Sequence, residues 1–548
     1  APQAQEKTVE QDEQKGEKSA IYETKESQAN AFEGSCGATE EDTLEWKLEK
    51  NGDDLYEIEG DKESEWVFST TEAENSKKVQ AYTLTISGDG KMADYENYST
   101  PWGIAIAKTL DPNAEKGSMY KISPRITQIK ITGNPTYIGS HAFRSTSIKE
   151  ITIPASVEKI GNYALIYCRE LEEIKLAGDN DNRDFYVEDG VLYENYTENG
   201  KSGVELRFYP SAKTTGEFTI PEGVTALGPN SMQTGRFSSV TFPDSLRSIN
   251  SYALCGCVNL TSVTLPDGVT FGSEREVNVN KGAGAFSGCT SLAEVKNFPA
   301  DIEAIPIGIF QGDVALTSFT IPEGIKELKD RCFSDTGITD ITVPASVTTL
   351  GNGVFSGKNT EEVTVHFAKG SQLQSVGKNI FNSTSYKAIF DMADEDAIDA
   401  FIKAGYTIDM SNVSIPSDGI FQYDFAGAKK LAIQGFVEGL DDSRKEKMVI
   451  PDKVEDWAVT AIAEKAFQKD YNKIKEVEIG ANVSAIGSYA FVTAKSDGGG
   501  SSDGTLEKTT FKSGVPVTVG DRAFSKYNDK KERIFDAGDR EITFGNNV

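Results

Sequence analysis

Apolar and polar residues alternate in short runs along most of the chain, a pattern typical of half-buried strands. Leu44, Trp46 and Leu48 stand two residues apart, and a second run of this kind covers residues 82–86. Because strand side chains point alternately to opposite faces, this spacing predicts strands with one face in a core. A Ser-Gly-Asp-Gly turn follows the second run. We therefore predict a small antiparallel β domain at residues 31–120.

A repeated sequence pattern begins near Ile122. Each unit contains an apolar-Thr-apolar triplet followed by proline. Pro221 and Pro243 are 22 residues apart, and Pro243 and Pro266 are 23 residues apart. An Ala-Phe-like pair keeps the same interval. The triplets with their prolines lie at 151–154, 218–221, 240–243, 263–266, 319–322 and 341–344, and the pairs at 142–143, 164–165, 253–254, 285–286, 332–333 and 354–355.

The size of these units determines how they fold. Each unit supplies one short strand, a proline-marked turn and a return arm, and none can bury its own core, so neighbours must stack. A fixed period of about 20 to 29 residues is typical of leucine-rich repeats. The pattern predicts a β-rich leucine-rich-repeat solenoid of stacked short parallel strands. The repeats lapse and then resume, so we divide the array into two blocks, 121–412 and 413–548.

Three segments depart from the repeat. Residues 183–210 hold two alternating runs around a Gly/Asn-rich turn, which predicts an inserted β-hairpin. Residues 393–404 begin with acidic side chains and end with lysine, which predicts a short helix that caps the first block. Residues 1–30 contain almost no large apolar side chains, so we expect a disordered tail.

These phrases resemble a known family. Residues 151–168, ITIPASVEKIGNYALIYC, and residues 285–289, AFSGC, are similar to the repeat of the BspA-like leucine-rich-repeat surface proteins, approximately IxIPxxVxxIGxxAFxxC. The resemblance covers most of residues 36–548. It implies a secreted or cell-surface bacterial protein with a role in adhesion, and it carries over no catalytic residues. This chain departs from the family repeat at two positions. The proline is absent after residues 363–365, and several units lack the glycine of the Ile-Gly element.

The charge of the chain narrows its possible partners. The 548 residues include 56 Lys and Arg against 85 Asp and Glu, a net charge of −29. Such a surface repels phosphate backbones and anionic lipid headgroups, so we expect no nucleic-acid partner. No stretch approaches 18 consecutive apolar residues, so we expect no membrane insertion. Two histidines leave little room for zinc sites or histidine catalysis. We expect a non-enzymatic monomer without a cofactor.

The first residues of the sequence bear on where the protein is located. The sequence starts at Ala1, without Met and without a basic segment leading into an apolar one. We interpret it as a mature chain whose export signal has been removed, secreted or anchored at the cell surface.

Most residues with reactive side chains fall in repeat positions. None of the six cysteines forms a CxxC pair. Cys168, Cys257 and Cys289 each follow an Ala-Phe-like pair by three residues, which favours small buried thiols, with a disulfide between Cys257 and Cys289 as the alternative. His366 occupies the place of a repeat proline, and we interpret it as a turn residue at a strand end.

Two further segments are similar to ligand-binding loops. Residues 179–184 resemble the opening of a calcium loop but lack its glycine at position six, and Gly190 stands where glutamate is required. Residues 496–504 are glycine-rich but lack the strand and the Gly-Lys-Ser/Thr context of a phosphate loop. We expect a solvated turn and a flexible insertion, and no metal site.

One surface remains as a candidate binding site. The middle residue of each triplet points away from the core, and the residue two before it is polar or acidic. Threonine suits exposed strand positions in any case; the alternative is a partner-binding face, the usual role of an extended solenoid surface. The threonine column comprises Thr152, Thr219, Thr241, Thr264, Thr320, Thr342, Thr364 and Thr543, and the acidic or serine column Glu150, Glu217, Ser239, Ser262, Ser318, Asp340, Glu362 and Glu541.

Three functions are compatible with the sequence. Adhesion or protein–protein interaction with host or bacterial surface proteins fits best. The first alternative is a carbohydrate-binding module that stacks glycans on hairpin tyrosines. The second is a hydrolase with paired carboxylates such as those near Asp89 and Asp94. The tyrosines are Tyr186, Tyr193, Tyr196 and Tyr209.

Overall fold

The structure is a computed structural model that describes most of the chain after residue 31. The predicted tail at 1–30 lies outside the described residues, as do 179–183 of the aspartate-rich segment and most of 496–504. The described residues are 32–53, 55–58, 67–69, 76–96, 99–110, 125–178, 184–273, 276, 280–357, 362–381, 385–411, 413–491, 493–494, 501–502, 506–521, 523–524, 534–536 and 541–544.

The contacts divide the chain into two compact units. Unit 1 comprises residues 1–299 with the short pieces 306–317 and 332–337. Unit 2 comprises the remaining residues, 300–305, 318–331 and 338–548. The domain boundaries at 120 and 412 that we expect from the sequence stay predictions.

Unit 1 begins with strands that pair antiparallel, as predicted. Glu45–Lys50 pairs antiparallel with both Glu33–Ser35 and Tyr82–Ser87. Tyr82–Ser87 then pairs in parallel with Ile126–Ile131, so the first strand of the repeat type precedes residue 120. The other strands of this region are Leu55–Ile58, Val67–Ser69, Lys77–Val79, Asp89–Lys91 and Asn134–Ile138.

A helix that the sequence analysis did not predict, α1, spans Pro101–Leu110. Thr100 caps it, because its Oγ1 accepts a hydrogen bond from Gly103 N (3.3 Å), and Pro101 suits the first helical position. Trp102 and Ile106 lie one turn apart and are fully buried. The expectation of strands alone was wrong here, because this apolar pair packs from a helix.

The repeats of unit 1 contain two kinds of short strand. Front strands carry the apolar-Thr-apolar triplets, and return strands lie on the return arms; both pair in parallel with strands of the neighbouring repeat. The front strands are Glu150–Ile153, Glu173–Leu176, Glu217–Thr219, Ser239–Thr241, Ser262–Thr264 and Glu294–Lys296, and the return strands after Asn134–Ile138 are Lys159–Ile160, Ala226–Leu227, Ser248–Ile249 and Thr270–Phe271.

The predicted hairpin is present and has one strand more than expected. Phe185–Glu188, Val191–Glu198 and Lys201–Phe208 pair antiparallel in sequence. Lys201–Phe208 also pairs in parallel with the return strand Ala226–Leu227. The insertion is therefore continuous with the return strands.

Unit 2 repeats the same arrangement. Residues 319–321 form no strand, but Thr320 is exposed and Ile321 is buried, as alternation predicts. The front strands are Asp340–Val343, Val363–Phe367, Tyr386–Ile389, Lys447–Val449, Glu476–Ile479, Lys508–Phe511 and Ile534–Asp536. The return strands are Ala304–Ile305, Glu327–Leu328, Thr349–Leu350, Ser375–Val376, Lys430–Phe436, Trp457–Ile462, Ala485–Ile486, Val517–Val519 and Ile542–Phe544. Phe421–Gly427 pairs antiparallel with Lys430–Phe436, and the short pieces are Lys453–Val454, Thr493–Ala494, Ser501–Ser502 and the 3-10 helix Asp442–Arg444.

The second helix, α2, spans Glu395–Lys403 within the segment predicted to be helical. Its first turn is acidic and its last turn ends in lysine, which suits the helix dipole. The helix ends in a Schellman motif, because Gly405 N donates to Ile402 O and Tyr406 N donates to Phe401 O, with Gly405 in the left-handed region (φ +93°). An ion pair between Asp399 and Lys430 connects α2 to the following strands.

The Ala-Phe-like pairs form the third side of each repeat. In these turns, Tyr252 N, Leu254 N and Gly256 N donate to carbonyls of the next repeat, so the turns also stack through backbone hydrogen bonds. The aromatic rings stack on one another within each unit. Ring centroids are 5.9 Å apart for Phe310 and Phe333 and 5.0 Å apart for Phe491 and Phe524. This column of rings is the centre of the core.

Candidate functional site

The exposed face of the front strands, called the front face, is the surface that the sequence predicts as a binding site. Thr152, Thr219, Thr241 and Thr264 in unit 1 and Thr342 in unit 2 are exposed. Their neighbours along the strand are buried: Ile151, Ile153, Phe218, Val240, Val263, Ile341 and Val343. The alternation that places threonine in solvent is therefore confirmed.

The predicted columns are in register in the middle of unit 1. Thr219 pairs with Thr241, and Glu217 pairs with Ser239. Adjacent parallel strands are about 4.8 Å apart, so these side chains form two polar rows with that spacing. The same rows are not preserved in every repeat. Thr152 pairs with Lys175, and Thr264 pairs with Lys296.

The predicted position of Thr364 is wrong. Thr364 pairs with Asp340, and His366 pairs with Thr342, so the threonine lies in the acidic column and the histidine in the threonine column. The pair Thr342 and His366 is 24 residues apart, against 22 for Thr219 and Thr241, because the intervening connection is two residues longer. His366 is accordingly a residue within a strand, not the turn residue that we expected.

Thr543 and Glu541 are also misplaced by the sequence analysis. Thr543 pairs with Thr518 in the return strands Ile542–Phe544 and Val517–Val519. The last front strand is Ile534–Asp536. The return arm here reads Val-Thr-Val and Ile-Thr-Phe, which imitates the triplet of a front strand.

The acidic side chains of the front face have cationic neighbours on the same face. Lys175 Nζ lies 2.6 Å from Glu150 and 3.2 Å from Glu173, and hydrogen bonds to these carboxylates raise the pKa of Lys175. Lys387 lies 2.7 Å from Glu362. His366 Nε2 also lies 3.1 Å from Asp340 Oδ2. The two lysines lower the net negative charge expected of this column.

The tyrosines proposed to stack on glycans do not form an exposed platform. Tyr193 is 1% exposed and Tyr209 is 5% exposed, so both belong to the core. Tyr186 stacks on Tyr193 with 5.3 Å between ring centroids. The Tyr196 hydroxyl lies 3.0 Å from Thr225 Oγ1. The prediction was wrong for Tyr193 and Tyr209, because the hairpin turns them toward the core.

The carboxylates near Asp89 and Asp94 are engaged in cross-strand hydrogen bonds. Asp89 Oδ1 accepts from Asn134 Nδ2 (2.8 Å), and Asp94 Oδ1 accepts from the Tyr137 hydroxyl (2.7 Å) and Ser140 N (2.6 Å). Burial acts to raise the pKa of Asp94, but these hydrogen bonds outweigh it and hold that pKa below its ordinary value. With this lowered pKa, Asp94 is a poor general acid near neutral pH.

All six cysteines lie in described residues, and none of them takes part in a disulfide. Burial is the main reason that the pKa of Cys36 is raised to about 12 and that of Cys168 to about 11. The Cys257 and Cys289 thiols donate to backbone carbonyls and form no disulfide. Within the described residues, no group of three acidic, histidine or cysteine side chains is placed to hold a metal ion.

The sequence analysis missed a second polar surface at the turns of unit 1. The residue before each Ala-Phe-like pair adopts a left-handed conformation, with φ +58° at His141, +61° at Tyr163 and +58° at Tyr252. His141 stacks on Tyr163 at 5.1 Å, and Arg144 lies 4.6 Å from the centre of the Tyr167 ring. The sequence shows how far these residues lie from the Ala-Phe-like pairs, but it does not show their left-handed backbone conformation.

These stacked strands and turns define a leucine-rich-repeat solenoid protein. A model of the BspA type leucine rich repeat region matches six copies in residues 116–187, 207–275, 280–399 and 446–536, which is more than half of the chain. The chain belongs to this family. No curated protein sequence matches it significantly.

Several solved structures are similar to this chain. A leucine rich cell surface protein from Faecalibacterium prausnitzii is 26% identical, with a TM-score of 0.30; the alignment covers 47% of this chain and 55% of that chain. A leucine-rich repeat protein from Eubacterium ventriosum is 21% identical over 56% of this chain and 92% of that one, with a TM-score of 0.39. A leucine-rich repeat protein from Bacteroides ovatus is 20% identical over 70% of this chain and 82% of that one, with a TM-score of 0.32.

Membership of the family is shown by the repeat match alone. The helices within the described ranges include none with the length and apolar character needed to span a bilayer.

Proposed function

We propose that the chain is a non-enzymatic binding protein of the bacterial surface that acts in adhesion through protein–protein contacts. The observation that carries the proposal is the front face, where exposed residues recur on rigid strands at the spacing of the repeat. Rigid, regularly spaced side chains lose little conformational entropy when a partner covers them. Membership of the BspA type family supports the surface location.

Two observations favour binding over catalysis. The carboxylates near Asp89 and Asp94 are held by hydrogen bonds, and the lowered pKa of Asp94 does not suit proton transfer at neutral pH. The two histidines lie apart from the cysteines in the repeat, and burial raises the pKa of the thiols of Cys36, Cys168 and Cys289. A raised pKa disfavours the thiolate that a nucleophile needs.

The class of partner is the first property to test. The immobilised full chain is incubated with host and bacterial surface extracts, and in parallel its binding to a glycan array is measured. We expect saturable binding to purified proteins recovered from the extracts, and we expect that binding to survive enzymatic removal of their glycans. Binding that disappears with the glycans, together with saturable signals on the array, would contradict the protein–protein proposal.

A further inference from the structure

One position of the repeat holds a buried hydrogen-bonding side chain in consecutive turns. This Cys position follows the Phe of the Ala-Phe-like pair by three residues. Every member in unit 1 that is not glycine is small and buried, which indicates a tightly packed column. The members are Thr146, Cys168, Cys257, Cys289, Asp313 and Thr336.

The side chains of this column act as hydrogen-bond donors to the main chain. Cys257 Sγ donates to Met232 O (3.3 Å) and Cys289 Sγ donates to Leu254 O (3.2 Å), in each case the Phe-position residue of the preceding repeat. Thr336 Oγ1 donates to Phe333 O (3.0 Å) in its own repeat. Backbone carbonyl oxygens next to this position therefore accept hydrogen bonds from these side chains.

Asp313 places a carboxyl group in this column of donors. It is 0% exposed, and its Oδ1 accepts a hydrogen bond from Cys289 N (2.8 Å). Its Oδ2 is buried and has no hydrogen-bond partner in the described part of the chain. By analogy with Cys257 and Cys289, the acceptor available to Asp313 is the carbonyl oxygen of Phe286 in the preceding repeat. An ionised carboxylate only accepts hydrogen bonds, so it cannot donate one to this oxygen.

The surroundings of Asp313 offer no compensating charge. No ion pair involving Asp313 occurs among the described residues, and the titratable side chain that faces it is the thiol of Cys289, which in turn contacts the Cys257 thiol. Both thiols are buried. Burying an ionised carboxylate without a cation has a large desolvation free energy cost, so such a group stays protonated instead.

We propose that Asp313 is a carboxylic acid at neutral pH, that it donates its proton to the backbone of the preceding turn, and that loss of this proton loosens the stacked turns of unit 1. In physical terms, the position converts a structural hydrogen bond into a pH-sensitive one. Burial raises the pKa of Asp313 to about 9, while the N–H groups of Cys289 and Gly288 act weakly in the opposite direction.

The direction of the pH effect follows from linkage. In the unfolded chain an aspartate has a pKa of about 3.9. Between that value and the folded pKa of about 9, the folded chain holds one proton more than the unfolded chain. The stability contributed by the neutral form is complete below about pH 4 and declines as the pH rises, and the unfolding equilibrium constant grows about tenfold per pH unit. Above the folded pKa the loss is complete.

The test compares the full chain with Asp313→Asn, which keeps the shape and a donor but cannot ionise. Urea unfolding is measured from pH 6 to pH 8, and amide hydrogen exchange at Cys289 reports local opening. Other titrating groups are common to both proteins and cancel in the ratio of unfolding constants. We expect that ratio to change by about a hundredfold over these two pH units, with faster Cys289 exchange in the wild type at the higher pH.

A control and a second readout keep the result decisive. Asp244→Asn removes an exposed aspartate of unit 1, and we expect it to follow the wild-type pH dependence. The infrared spectrum at pH 7 should show a protonated carboxyl band that Asp313→Asn lacks. If that variant does not fold, Asp313→Cys, which introduces the residue found at Cys289 in the preceding repeat, takes its place. Parallel pH profiles for wild type and variant, or an absent carboxyl band, would overturn the proposal.

Discussion

At the scale of single residues, the repeat depends on which side chains fit the turn. The Ala position is fully buried at Ala253 and Ala285, and the Phe position is fully buried at Phe286 and Phe310. The residue before the pair must adopt a left-handed conformation, which glycine accepts freely and which Tyr163 and other residues adopt at a cost of about 1–2 kcal/mol. Stacking against both neighbouring turns compensates that strain.

The Phe position should therefore dominate stability. Phe333 is 2% exposed and stacks on Phe310 with an interplanar angle of 23°. We expect Phe333→Ala to reduce the free energy of unfolding by about 3–5 kcal/mol, because it removes buried surface and leaves a cavity. Urea denaturation checks this value. A loss below about 1 kcal/mol would show that the ring is not part of a close-packed column.

The thiols should be inert in the folded protein. Burial is the first cause of the raised pKa at both Cys36 and Cys168, so little thiolate is present at pH 8. We expect Cys255, the partly exposed cysteine, to be alkylated first in the native chain. All six should react after denaturation without reduction. Mass spectrometry gives the count, and intact disulfides in the unreduced protein would contradict the structure.

At the scale of the elements, the sequence was enough to predict most front strands but not all of their registers. Short apolar triplets and a fixed interval specify front strands, and acidic and basic ends specify α2. The register at Thr364 depends on the length of one connection, which a triplet pattern does not reveal. Thr543 shows that the triplet is not specific to front strands, since the same kind of triplet occurs in the return strand Ile542–Phe544.

The register at Thr342 can be tested by engineered disulfides. Thr342 and His366 are direct partners on parallel strands, about 4.8 Å apart, whereas Thr364 is offset by two residues and lies about 8 Å away. Disulfides need Cα separations of about 4.4–6.8 Å. We expect Thr342→Cys with His366→Cys to crosslink under mild oxidation, and Thr342→Cys with Thr364→Cys to remain reduced. The reverse outcome would restore the register expected from the sequence.

At the scale of the whole molecule, the front face was only partly predictable. Alternation alone placed the threonines in solvent, because burial of their neighbours leaves no other choice. The cationic partners of Glu150 and Glu362 were not predictable, because Lys175 and Lys387 come from the next strand. Likewise, the burial of Tyr193 and Tyr209 depends on how the hairpin packs.

The central claim is that the front face binds a protein partner, and its most direct test is the affinity of one purified partner for two matched variants. Thr219→Arg with Thr241→Arg places two bulky cations on the front face, whereas Thr197→Arg with Thr270→Arg places the same charge on exposed strand residues elsewhere in unit 1.

Both variants should fold like the wild type, which circular dichroism and urea unfolding verify. Arginines at the centre of an interface disrupt its packing, so we expect the front-face variant to raise Kd at least tenfold, about 1.4 kcal/mol, while the matched variant stays within about twofold. Equal affinities for the wild type and the front-face variant, or a loss confined to the matched variant, would contradict the account.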